Sequence, residues 1–189
     1  CYALILPELQ DVFRKVEGIE LMLLMARKKS YARKAALKVL TYALTNHKEN
    51  CERFVECKGL KTLFAVFMNK HKKKSKNMKD TAEYDGKNLH YTWLTLLLEH
   101  VLSIISSLFK HLNEEKLQRL KKKFSENEFE KTDRLMEHYQ NFHQRVVKFD
   151  KKVKEGKVTL DEENLYLERL DAGYFGLQQI CIMLAYISS

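Results

Sequence analysis

An all-α chain of tandem helical repeats is the fold class predicted by this sequence, on three observations. Residues 13–25 and 54–66 follow one pattern 41 positions apart: Phe13 matches Phe54, Gly18 matches Gly59, Ile19 matches Leu60 and Met22 matches Leu63. Apolar residues recur at i, i+3, i+4 and i+7 through most of the chain, the spacing of one helix face. Six glycines and one proline in 189 residues leave too few breakers for the many turns of a β fold. A period near 40 residues is that of armadillo and HEAT-type repeats, which stack into a superhelix. Such superhelices bind other macromolecules on their exposed faces, so the expected work is binding, not chemistry.

The elements follow in order. Residues 2–6 read as the end of a helix, Pro7 restarts the chain, and residues 8–16 form a short helix ending near Gly18. Ile19, Met22, Leu23 and Ala26 form the core stripe of a helix to Lys28. Ser30 is positioned to cap the next helix, which carries Ala32, Ala35, Ala36, Val39, Leu40 and Ala43. Asn50 is positioned to cap a short helix with Phe54 and Val55 inward. Gly59 allows a sharp turn into Leu60–Asn69, whose stripe is Leu60, Leu63, Phe64 and Phe67. From Asn88 to about Leu112 a helix carries Trp93, Leu94, Leu97, Leu98, Val101, Leu102, Ile105 and Leu108, with little polar face. Glu115–Phe124 reads as a short basic helix. Ser125-Glu-Asn-Glu128 and Thr159-Leu-Asp-Glu162 are capping-box patterns, expected to start helices from about Glu126 to Lys154 and from Thr159 toward Ile187. Lys154-Glu-Gly-Lys157 marks the loop between them.

The domain organisation read from this pattern is one continuous solenoid: armadillo-like repeats over 1–69, a lysine-rich insertion over 70–87, and continuing repeats with long helices over 88–189. Lys70, Lys72, Lys73, Lys74, Lys76 and Lys79 supply six of the nine net positive charges, so the basic character belongs mostly to that segment. A solvated loop, a phosphate contact and a nuclear import signal are all readings of such a run. Aromatics do not interleave with its lysines, which argues against base stacking there.

A chain of this size buries about 70% of its unfolded surface and needs neither disulfide nor metal to fold. Cys1, Cys51, Cys57 and Cys181 form no Cys-x-x-Cys pair, and there is no secretory h-region and no Asn-x-Ser/Thr sequon. An intracellular, reduced protein is expected. No apolar run reaches the roughly 18 residues that span a bilayer, so no membrane association is expected. The chain starts at Cys1 and ends inside helical pattern, the expectation for a fragment of a longer protein whose repeat ends could also pair in a dimer.

His138 and His143 are five apart, not four around a Glu, and Cys51 and Cys57 lack a matching second pair. No glycine-rich phosphate loop or Gly-x-Ser-x-Gly occurs. Asp161, Glu162 and Glu163 suit a helix start, where they complement the dipole. No catalytic, cofactor-binding or metal residues are assigned, and an enzyme is not expected. The Trp and Asn array of an armadillo import receptor is also missing, since position 97 beyond Trp93 is Leu97; Trp93 is expected in the core.

Four segments resemble a known family. Arg53-Phe-Val-Glu-Cys-Lys-Gly-Leu-Lys-Thr-Leu-Phe-Ala-Val-Phe-Met68, Lys123-Phe-Ser-Glu-Asn-Glu-Phe-Glu-Lys-Thr-Asp-Arg-Leu-Met-Glu137 and Ala35-Ala-Leu-Lys-Val-Leu40 are similar to the beta-catenin-like protein 1 family. So is Tyr166-Leu-Glu-Arg-Leu-Asp-Ala-Gly-Tyr-Phe-Gly-Leu-Gln-Gln-Ile-Cys181, with its Leu-Asp-Ala-Gly core. The resemblance implies later repeats of an armadillo-like superhelix in the nucleus. It also implies a non-enzymatic, spliceosome-associated scaffold whose partners include the Myb-type subunit of a ubiquitin-ligase-containing splicing complex.

In an armadillo repeat the third helix lines the partner groove. Taken as third helices, Gly18–Lys28 and Gly59–Asn69 turn Glu20, Leu21, Leu24 and Lys28, and Lys61, Thr62, Ala65 and Asn69, away from the core as two rows at a spacing of 41. Exposed Leu21 and Leu24 are the kind of patch that marks a partner site; coverage by a neighbouring element is the competing reading. Ala172, Gly173 and Gly176 are read as a small-residue packing face. Two functions compete: a splicing scaffold binding a short basic or mixed-charge peptide, and a helical-repeat RNA-binding protein using the lysine run.

Overall fold

The computed structural model describes residues 2–28, 32–68 and 86–188, with side chains of the last stretch from residue 95 onward. Ser30, Asn69, the lysines from Lys70 to Lys79, and the side chains of Trp93 and Leu94 lie outside the described residues. The described chain is helical throughout, as the sequence pattern predicts, and divides into two compact units, Cys1–Ile104 and Ile105–Ser189.

In the first unit a 3-10 turn (Tyr2–Ile5) leads into α1 (Pro7–Lys15), α2 (Gly18–Arg27), α3 (Ala32–Leu44), α4 (Lys48–Glu56) and α5 (Gly59–Phe67). Helix α6 (Gly86–His111) gives this unit its first part and the second unit its last turns. Pro7 sits in the first turn of α1, where its missing N–H costs nothing. The period of 41 is visible in the coordinates: α1 and α4 start at Pro7 and Lys48, α2 and α5 at Gly18 and Gly59.

The turns repeat residue for residue. The left-handed position of each turn is the residue before the glycine: Glu17 (φ 59) and Lys58 (φ 61). Each glycine opens the next helix, buried, with an aromatic ring where its Cβ would project, Phe13 over Gly18 and Phe54 over Gly59. The expectation that Gly59 itself makes the sharp turn is thus corrected: its need is spatial, not conformational. Phe54 is fully buried, which contributes about 2–3 kcal/mol.

A polar clamp crosses this unit. Gln10 and Asn50 are buried. Gln10 Nε2 donates to the carbonyls of Tyr42 (2.7 Å) and Thr45 (3.0 Å), at the end of α3. Asn50 Nδ2 donates to the carbonyls of Ala43 (2.8 Å) and Gln10 (3.2 Å). Helix-terminal carbonyls have no partner within their own helix, and these amides supply one. Asn50 is therefore not the cap of α4; His47 is, its ring accepting from the Asn50 backbone N–H. The core of α3 is Ala36, Leu37, Leu40, Ala43 and Leu44, with Ala35 exposed.

The second unit contains α7 (Glu114–Ser125), α8 (Glu130–Lys154), α9 (Glu162–Arg169), a π-type segment (Leu170–Tyr174) and α10 (Phe175–Ser188). Neither capping box forms. Ser125 is the last residue of α7 and its hydroxyl donates to the Lys122 carbonyl. Glu126 is extended, and Asn127, Glu128 and Phe129 are all left-handed (φ 53, 54 and 63), so α8 starts only at Glu130. The Thr132 hydroxyl closes this turn on the Phe124 carbonyl at 2.8 Å. At the other pattern Asp161, not Thr159, is the cap, accepting from the Asn164 N–H at 2.8 Å.

The expected single final helix is kinked at Gly173 (φ 123). The small-residue face packs as read from sequence, with the Phe142 ring of α8 filling the Cβ positions of Gly173 and Gly176. Arg169 fixes the kink by a bidentate pair to Asp150, both contacts 2.9 Å. Taken across the kink, Glu162–Ser188 is apolar and long enough by length and composition alone to cross a membrane, contrary to the run-length reading of the sequence. Leu177, Ile180 and Met183 are buried in this unit's own core.

The two repeat glycines should differ in tolerance. A Cβ at Gly59 meets the Phe54 backbone carbonyl as well as its ring, whereas at Gly18 the three nearest atoms all belong to the half-buried Phe13 ring. Gly59→Ala should cost about 1–3 kcal/mol and Gly18→Ala distinctly less, measured by urea denaturation. Equal costs would show that the rings do not set the turn.

Candidate functional site

Helices α2 and α5 lie side by side in the first unit, and the rows expected on them meet different fates. Leu21 and Leu24 are 55% and 53% exposed, and Lys28, Lys61 and Ala65 are exposed as well. Thr62 is not: it is buried, because α5 turns it toward Arg27, whose Nε donates to Thr62 Oγ1 at 3.3 Å. Glu20 turns sideways to α4, where it accepts from Arg53 Nε at 2.7 Å and from the Cys57 thiol at 3.3 Å. Helices α2 and α5 each follow a short helix, α1 and α4, across the same two-residue turn.

Lys61, Thr62 and Ala65 do come together, with partners that the sequence reading did not name. They line a cleft of about 550 Å³ with Arg27, Arg33 and Lys58. Arg27 ends α2, Arg33 stands in the first turn of α3, and Lys58 occupies the left-handed turn before α5. The cleft excludes Glu20, Leu21 and Leu24. The missed signal was a charge exchange between the aligned repeats: Glu17 and Glu20 of the first become Lys58 and Lys61 of the second.

Both arginines are held by neutral acceptors. Arg33 donates from Nε to the Ala26 carbonyl (2.9 Å) and from Nη2 to the Arg27 carbonyl (3.3 Å), closing the end of α2. Arg27 Nη2 reaches the Cys57 carbonyl at 3.4 Å. Among the described residues no carboxylate forms an ion pair with Arg27, Arg33, Lys58 or Lys61.

The neighbouring Glu20 site has the opposite character. Burial works to raise the Glu20 carboxyl, but its own backbone N–H, the Cys57 thiol and Arg53 outweigh burial and hold it below the usual carboxylate range. It stays ionised and neutralised by Arg53 near neutral pH. Cys51 is a core thiol, donating to the Leu44 carbonyl at 3.3 Å and pushed up to about 12 by burial. His138 is buried, and His143 stacks on Tyr139 at 5.9 Å. These residues are packing groups here.

The comparisons with known proteins agree with the repeat geometry. The profile of a family described as catenin-beta-like, Arm-motif containing, nuclear, matches residues 1–189. The chain belongs to the catenin-beta-like family. Beta-catenin-like protein 1 from Bos taurus is 38% identical over 199 residues, covering 99% of this chain and 33% of that protein. The Homo sapiens protein is 37% identical with the same coverage, and the homolog from Schizosaccharomyces pombe is 32% identical over 185 residues, covering 94% of the chain and 29% of that protein. The chain thus spans about a third of the length of these relatives. Its family is one of nuclear Arm-motif proteins, which fits an all-α helical-repeat fold.

One electrostatic consequence of the first unit can be measured. His100 on α6 is largely buried, with its Nδ1 3.4 Å from Thr41 Oγ1. Burial, with Lys38 and Lys34 nearby, lowers it from 6.5 to about 4. Between those values the unfolded chain binds a proton that the folded one refuses, so stability is full above pH 6.5 and falls as pH drops toward 4. The loss should be on the order of 1–2 kcal/mol after solvent screening. His100→Gln should flatten the stability profile over that window in denaturation at stepped pH; an unchanged slope would refute the assignment.

Proposed function

We propose that this chain is part of a non-enzymatic nuclear scaffold that binds proteins of the splicing machinery. The observation that carries the reading is the repeated unit itself. Two helix pairs share one turn chemistry at a spacing of 41 and lie within a chain matched end to end by a nuclear Arm-motif family. Helical-repeat units of this kind present side-by-side helices as a binding surface. The sequence resemblance points to pre-mRNA splicing and to the Myb-type subunit of the ubiquitin-ligase-containing complex as the first partner to test. Nothing in the motifs supplies a nucleophile with its base, so catalysis is not proposed.

RNA binding is the second reading. It is favoured by the six lysines between positions 70 and 79 and by the cations of the cleft, which pair with no described carboxylate. The two readings differ in salt dependence, since phosphate contacts release counterions and weaken steeply with added salt.

Affinity capture with the intact protein from nuclear extract, read by mass spectrometry, should enrich splicing proteins including the Myb-type subunit. Their absence would end the scaffold reading. RNA titrated at two salt concentrations should bind weakly at best; tight, steeply salt-dependent binding abolished by deleting residues 70–79 would establish the RNA reading instead.

A further inference from the structure

We propose that the cleft between α2 and α5 receives an acidic segment, rich in aspartate and glutamate, of a partner protein. The inference rests on the scaffold reading and names the chemistry of its guest. Four cationic side chains, Arg27, Arg33, Lys58 and Lys61, converge on one cleft of about 550 Å³, and no described carboxylate pairs with any of them. Two other arginines of the same unit are paired by contrast, Arg53 with Glu20 and Arg14 with Asp11. An uncompensated cationic cluster attracts an anionic guest and repels a cationic one.

The lining favours an acidic peptide over single-stranded nucleic acid. Arg33 and Arg27 are anchored through Nε and Nη2 to carbonyl and hydroxyl oxygens, so their planes are fixed before a guest arrives. A preorganised guanidinium presents its remaining N–H groups as a fork that matches a carboxylate or a phosphate, so the lining around it decides between the two guests. The floor is small, with Ala65 exposed and Thr62 beneath it. Among the described residues no aromatic side chain lines the cleft, and single-stranded nucleic acid is held by stacking on aromatic platforms as well as by charge. The volume suits a few side chains of an extended peptide.

The sequence alone suggested a basic or mixed-charge guest, with Glu20 among the groove residues. With Glu20 spent on Arg53 and outside the cleft, the sign reverses.

The test uses the intact protein and three labelled probes in fluorescence anisotropy: a short Asp/Glu-rich peptide, a Lys/Arg-rich peptide of equal length, and oligouridylate RNA. The acidic peptide should bind and the basic one should not. Arg27→Glu with Lys61→Glu should weaken the acidic peptide by about tenfold or more, while Lys148→Glu with Lys152→Glu on exposed α8 positions, the same change in net charge, should leave it within about twofold. If Arg27→Glu perturbs folding by circular dichroism, Lys58→Gln with Lys61→Gln at exposed positions should still weaken binding several-fold. Absence of acidic-peptide binding at low salt overturns the inference, as does equal loss in the α8 control. Displacement of the peptide by oligouridylate, with the same tenfold loss of RNA affinity in the cleft variant, reassigns the cleft to nucleic acid. Capture of splicing proteins by wild type without acidic-peptide binding sinks the cleft alone. Peptide binding without such capture sinks the scaffold reading alone.

Discussion

The first unit depends on an aromatic ring occupying the space of an absent Cβ. Phe13 lies over Gly18 and Phe54 over Gly59. Each ring closes a two-residue turn so tightly that the next helix must begin at the glycine, and each turn carries a left-handed residue just before it. Because turn and ring are the same in both units, α2 and α5 leave their turns in the same way. The same device recurs in the second unit, where Phe142 fills the Cβ positions of Gly173 and Gly176 beside the kink at Gly173. Close packing makes such contacts discrete, since interiors have few voids to absorb an added methyl.

Much of this was legible in the sequence, and the failures have physical causes. Apolar periodicity and cap patterns located the described helices apart from the break between α9 and α10, which were read as one, because 3.6-residue spacing of apolar side chains is dictated by burial of one face. Caps were less legible. Ser125 and Glu128 match the capping-box spacing, but three successive left-handed residues place α8 later; the pattern is local, and the turn is decided by the Thr132 hydroxyl on the Phe124 carbonyl. Asn50 looked like a cap for the same reason, yet a buried amide does more by satisfying two carbonyls of neighbouring elements than one amide of its own helix.

The candidate site was half legible. Lys61, Thr62 and Ala65 were found because α5 has a clear core stripe, although Thr62 is buried at the cleft. Arg27 and Arg33 were not found, because their position depends on the end of α2 meeting the start of α3, and helix ends are where single-sequence reading is weakest. Glu20 was misplaced because helical facing says which side a residue takes but not whether a neighbour such as Arg53 draws it sideways.

The repeat also explains how one scaffold acquires different charges along its length. Gly18 and Gly59 are fixed by the rings, and Ile19 and Leu60 by the core. The left-handed residue before each glycine is exposed, and its side chain is unconstrained by packing, as Glu17 and Lys58 show. A non-glycine there costs on the order of 1 kcal/mol, so a charged side chain at that position is retained at some expense in stability. In the second repeat that side chain stands over the cleft beside Lys61, one helical turn on. The turn that stability fixes in shape thus leaves chemistry free at its rim, and the exchange of Glu17 and Glu20 for Lys58 and Lys61 gives one row a neutralised acid and its neighbour an open cation.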